Sequence, residues 1–170
     1  METPERIDDG VERKLDPRAI ALGRIGGAIG AAVLAAVSFV ALIVVLFAIR
    51  PPAPIALLLV GAWVLLVAAT ATFALAWPPL VWKHASYRVG PAGIEIRRGV
   101  VIREVVTVPR SRVQHTDVSQ GPIERQFELA TLILHTAGTH HAAVPLEGLA
   151  HETALRIRDH FVAASLDDAV

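Results

Sequence analysis

The histidines set the first bound on the chemistry this chain can do. All seven lie at or beyond position 84, and there is no cysteine, so disulfides, thiolate metal sites and thiol nucleophiles fall away. His140 and His141 are adjacent in a predicted hairpin loop. On extended backbone neighbouring side chains point to opposite faces, which suits solvent exposure rather than shared ligation. The carboxylates do not stand at the usual ligand spacings, so no metal centre is predicted. His115, Asp117 and Ser119 have the residue types of a hydrolytic triad. As alternate residues of one strand they would lie about 6.5–7 Å from one to the next, beyond hydrogen-bond reach. The strained turn that presents a nucleophile is also missing. They read as polar residues on a sheet surface, and no catalytic residue is assigned. Neither a Walker A nor a G-x-G-x-x-G pattern occurs, so no cofactor is expected.

Arginines offer the remaining candidate site. Strand period two places Arg110, Arg112 and Gln114 on one face of a strand running from Arg110 to Val118, opposite a core-facing Val113. With Arg125 these residues form the predicted binding face. Glu124, Glu128 and Asp117 are the acids that compete for the same arginines. Sixteen basic and sixteen acidic residues leave no net charge, so nothing recruits nucleic acid as a whole-molecule field.

The elements that must carry these residues are of two kinds. Residues 25–49 and 51–82 hold no charge and are separated only by Arg50. Ile25 to Ile49 would rise about 37 Å as a helix, against roughly 30 Å of hydrocarbon core. Ile55 to Trp77 is also long enough. Pro51, Pro52 and Pro54 force the chain to turn between them. A cleaved signal peptide is rejected, because the apolar run is too long and six acids precede it. Neither span contains an ionisable residue, which makes the hairpin an anchor rather than a transport path. One arginine in the turn, against basic clusters on both flanks, predicts two cytoplasmic termini. Trp77 and Trp82 suit an interfacial belt. Gly23, Gly27, Ala31 and Ala35 form a small-residue stripe open to the second span or to another copy. Residues 1–24 read as a flexible cytoplasmic lead, 25–82 as the hairpin, and 83–170 as a cytoplasmic domain.

Within that domain Ile94 and Ile96 alternate with charges, as in a half-buried strand. Gly99 turns the chain into the β-branched runs Val100–Ile102 and Val105–Val108. Residues 131–136 form another run, and Ala142–Val144 pair back on it. Ala154, Ile157, Phe161 and Ala164 share a helical stripe. Antiparallel strands followed by one helix predict an α+β, mainly-β module: a small sandwich or open barrel capped by that helix.

Two spans, the block V-P-R-S-R-V-Q-H-T-D-V-S-Q-G-P-I-E-R-Q-F at 108–127, L-A-T-L-I-L-H-T-A-G at 129–138 and the closing helix together resemble the bacterial pleckstrin-homology family of YdbS-like membrane proteins. The likeness covers residues 80–165. It implies a pleckstrin-homology-like β fold with a C-terminal helix, tethered to the bacterial cytoplasmic membrane, and no established activity. One departure is Glu128, where the family usually has glycine, a residue that permits positive φ. The expected function is a non-enzymatic binding or scaffold module for a protein partner or for self-association. The alternative is a sensor of anionic lipid. Against that alternative, the loop Val89–Gly93 lacks the basic residues that phosphoinositide sites of the wider fold place there.

Overall fold

A computed structural model describes residues 7–137 and 143–167, with side chains through residue 163. The predicted loop residues His140, His141 and Ala142 lie outside the described residues. The chain divides into two units, Gly23–Pro79 and the residues on either side of it.

The first unit is made of the greater part of two helices. α1 (Arg18–Ile49) and α2 (Ala53–Lys83) are both long and apolar enough to cross a membrane. Arg50 closes α1 in the left-handed conformation at φ 46°, with its N–H bonded to Leu46 O at 3.2 Å. Gly23 and Gly27 face α2: a Cβ on Gly23 would stand 2.9 Å from the Pro78 Cβ, and one on Gly27 3.1 Å from Ala74. Of the two uses open to the small-residue stripe, these two glycines serve the second helix. Trp63 Nε1 donates to Ser38 Oγ at 3.1 Å across the same pair.

Both helices overrun the predicted spans. Asp16 accepts the Arg18 N–H at 2.8 Å, and Pro17 follows it, so a cap and a proline start α1 well before the charge-free run. α2 continues through Pro78 and Pro79 to Lys83. A proline leaves the carbonyl four residues earlier without its helical donor. For Pro79 that carbonyl is Leu75 O, and Arg24 Nε donates to it at 3.3 Å.

The second unit holds two antiparallel sheets. β1 (Glu12–Lys14), β2 (Ser86–Gly90), β3 (Gly93–Arg98) and β4 (Glu104–Pro109) form one sheet in that order. β5 (Val113–Ser119), β6 (Leu129–Thr136) and β7 (Ala143–Ala150) form the other. α3 (Pro122–Gln126) lies between β5 and β6, and α4 (His151–Asp167) follows β7. The inward residues of both sheets, among them Ile94, Ile96, Leu132 and Leu134, share one core with Ala154, Ile157 and Phe161 of α4. Val113 is half-buried against it, although period two alone would set it on the face of His115 and Asp117; the register shift between Val113 and His115 turns it inward. The predicted sheet-plus-helix module is therefore present, with its helix packed on β5, β6 and β7.

Three readings of the sequence are corrected. Residues 12–14, expected within a flexible lead, add β1 to the edge of β2 with Arg13 opposite Tyr87. Glu12 accepts from Ser86 Oγ at 2.6 Å, and Lys14 Nζ donates to Lys83 O at 2.8 Å. The Ser86 hydroxyl holds the Glu12 carboxyl below its ordinary value, and the Arg13 guanidinium holds that of Asp9 at about 2. Depressed carboxylates stabilise the folded state above their unfolded values, so this contribution is lost as pH falls through the acid range. Second, Arg110–Arg112 is a 3-10 turn, not the start of a strand. The chain must leave one sheet and enter the other here, and Arg110 N bonds to Ala92 O at 2.9 Å. Third, Val100–Ile102 is not a strand. Arg98 already pairs with Glu104, so residues 99–103 are the β3–β4 turn.

Glu128 takes the left-handed backbone at φ 53° just after α3, at the position where the resembled family usually has glycine. Its carboxylate accepts from Arg18 at 2.8 Å and its carbonyl from the His151 N–H at 2.9 Å.

Candidate functional site

The four residues of the predicted binding face separate. Arg110 and Arg112 occupy the 3-10 turn, and Gln114 is exposed beside a register shift between Val113 and His115. Arg125 sits in α3, beyond the far end of β5. Seven strand residues at about 3.3 Å each put roughly 20 Å between the two groups. The common face argued from strand period does not exist, because 110–112 is not strand. Arg125 instead lines a cleft of about 400 Å³ with Arg18, Gln120, Glu128, His151 and Glu152. Two arginines meet two glutamates there, and Arg18 is already engaged with Asp16 and Glu128.

The β3–β4 turn carries the most exposed large apolar residues among the described residues of this unit. Val101 is 83% and Ile102 82% exposed, and Val105 on β4 is 59% exposed. Around them Arg98 pairs with Glu104 at 2.9 Å and Arg97 with Glu95 at 2.7 Å. Arg103 is exposed next to Ile102. β4 is also the last strand of its sheet. Its outer backbone edge thus runs from the apolar turn to the Arg110–Arg112 turn.

A third cluster was not legible in the sequence. His115 and Asp117 lie two apart on the outer face of β5, and the antiparallel register sets His135 of β6 opposite His115. The two imidazoles stack with centroids 4.1 Å apart and planes 12° from parallel. Asp117 Oδ2 stands 3.1 Å from His135 Nε2 and 3.8 Å from His115 Nε2. Ser119, the third member of the triad considered above, pairs instead with Thr131. The H-x-D spacing was visible, but α3 intervenes between β5 and β6, so their register was not.

Two apolar helices long enough to cross a membrane, followed by two small antiparallel sheets closed by a C-terminal helix, define a membrane protein carrying a pleckstrin-homology-like module. A family model of the bacterial PH domain matches residues 20–164, and the chain belongs to that family. It is similar to the UPF0699 transmembrane protein YdbS of Bacillus subtilis (strain 168), with 40% identity over 92 residues, covering 53% of this chain and 54% of that protein. The chain thus spans about half the length of that curated relative. No solved structure matches it.

Proposed function

We propose that this chain is a non-enzymatic docking module, anchored by its hairpin in the bacterial plasma membrane with both termini in the cytoplasm. Its PH-like domain takes a protein partner, or a second copy, along the β4 edge. The observation that carries this reading is the exposure of Val101 and Ile102 in the β3–β4 turn. A turn facing only water gains nothing from two bulky β-branched apolar residues, whereas the terminal strand of a sheet, ending in an apolar knob, suits strand addition by a partner. Arg110, Arg112 and Gln114 stand at the other end of that edge and are assigned polar contacts to the same partner. Arg125 is left outside it.

The paired ions around the turn favour a protein over a charged bilayer. Exposed Arg103 beside Ile102 supports the second reading, insertion of the turn into anionic lipid. The test is a photo-crosslinking residue at Ile102 in cells, together with the double change Val101→Ser and Ile102→Ser. Removing both side chains from a buried contact should weaken partner capture on the order of 100-fold. Fold stability should stay within about 0.5 kcal/mol, as for most surface changes. Salt-sensitive binding of the chain's domain to anionic vesicles, without a protein crosslink, would replace the first reading by the second. A crosslinking pattern indifferent to the double change would retire the turn as a docking element.

Orientation has its own check. One basic residue, Arg50, lies in the turn between the spans, while basic residues cluster on both flanks. A cysteine at position 52 should therefore react with an impermeant thiol reagent in intact cells, and cysteines at positions 3 and 169 should react only after lysis. The reverse pattern would invert the topology.

A further inference from the structure

We propose that His115, Asp117 and His135 form a binding site for a borderline divalent transition-metal ion, with zinc the ion the donor set suits best. The three ligand atoms already lie within 4.8 Å of one another. Zinc binds imidazole nitrogen and carboxylate oxygen at about 2.0–2.2 Å, and tetrahedral angles then separate neighbouring ligand atoms by about 3.3–3.5 Å. The two separations from Asp117 Oδ2, 3.1 and 3.8 Å, bracket that value. Rotation of the two imidazoles out of their stack about the side-chain torsions would bring both Nε2 atoms and the oxygen around one ion.

A simple ion pair explains less. Asp117 and His135 alone account for the 3.1 Å contact, but not for a second imidazole stacked at 4.1 Å with its Nε2 turned toward the same oxygen. Two protonated imidazoles so placed would repel, whereas a shared cation attracts both nitrogens and the carboxylate once the rings, whose stacked planes now aim their lone pairs side by side, swing out of the stack. The two cross-strand rows through the cluster add no competing charge. Cross-strand partners share a face, and the rows through the cluster are His115–His135–Ala143 and Asp117–Ile133–Pro145. Neither row contains an arginine or lysine.

The scaffold supports ligation as well. Paired strands fix all three positions, and β6 is the central strand of its sheet. Two nitrogens and one carboxylate, with no thiolate, select zinc, nickel or copper over calcium or magnesium, which take all-oxygen shells. His115 and Asp117 side chains are 60% and 61% exposed and that of His135 30%, so the remaining coordination positions open to solvent. Water or a side chain of a docking partner could complete the shell.

The experiment uses the full chain in detergent, stripped with chelator and titrated with zinc chloride against a chromophoric competitor. One equivalent of zinc should bind, and cobalt in its place should give the visible absorption of a low-coordinate nitrogen–oxygen site. His135→Ala and Asp117→Asn should each lower zinc affinity tenfold or more and remove the zinc-induced rise in melting temperature. Asp117→Asn is nearly isosteric and exposed, so it keeps the test valid if His135→Ala does not fold. Absence of stoichiometric zinc, or binding lost in His140→Ala/His141→Ala but kept in His115→Ala/His135→Ala, would overturn the site.

Discussion

Replacing Phe161 with alanine should lower the stability of the sheet unit by about 3–5 kcal/mol, the usual cost of deleting a buried aromatic together with its packing. Phe161 is 5% exposed and stands in the same core as Ala154 and Ile157, two turns and one turn earlier on α4. That stripe packs on the β5–β7 sheet, and truncation at its C-terminal end leaves a void in the core that also holds the fully buried Leu132 and Leu134 of β6. The edge of the His160 ring against Phe161, with centroids 5.6 Å apart, is lost as well. Hydrogen exchange of β6 amides in the full chain reads the change, because central-strand amides exchange through the largest openings. Val162→Ala is the internal comparison. That side chain is 47% exposed, and its removal should cost less than about 1 kcal/mol. Equal losses in the two variants would mean that the helix presents a different face to the sheet.

The contrast between Phe161 and Val162 also shows what could be read without coordinates. Periodic burial leaves a periodic signal, so the α4 stripe and the Ile94–Ile96 alternation were visible, and the charge-free runs 25–49 and 51–82 marked the two long helices. β1 left none, because Glu12, Arg13 and Lys14 join the sheet through backbone pairing and polar contacts at an edge. The early start of α1 did have a local signal in Asp16-Pro17, but loss of charge is a cruder marker than a helix cap. Val100–Ile102 misled for the opposite reason. β-branched residues carry strand propensity, and the pairing of Arg98 with Glu104 overrode it. At the candidate sites the gap is wider. Val113 faces inward only through the register shift that follows it, and Arg110 and Arg112 fall in a turn that exists only because the chain changes sheets. His135 reaches His115 only through a register that a sequence does not print.

The sharpest test of the β3–β4 geometry, and of the edge assigned to docking, is Gly93→Ala. Gly93 opens β3 opposite Pro109, with φ at 145°, a conformation that L side chains rarely adopt. A Cβ there would overlap Val108 O, and would stand 2.9 Å from Pro109 Cα and 3.0 Å from Arg110 N. All three are backbone atoms, so no side-chain rotation relieves the contact. Strain of this kind costs about 1–3 kcal/mol before any displacement of the partner strand is counted. We expect a total loss of about 3 kcal/mol or more, in the range of the severest point changes. The strand end must also move away, which breaks the bond from Arg110 N to Ala92 O and shifts the turn that carries Arg110 and Arg112. Partner capture at Ile102 should then fall although Gly93 is not itself assigned a contact. Gly90→Ala, at the other side of the same β2–β3 turn, provides the control, because the nearest atom its Cβ would meet is Gly10 Cα at 3.9 Å. That variant should remain within about 1 kcal/mol of the parent, since its contact is an ordinary one. Exchange at the Arg110 amide distinguishes the two, with protection lost in Gly93→Ala and kept in Gly90→Ala. Retained protection at Arg110 in both variants would show that β3 and β4 are not held at this spacing, and the docking edge drawn along β4 would fall with it.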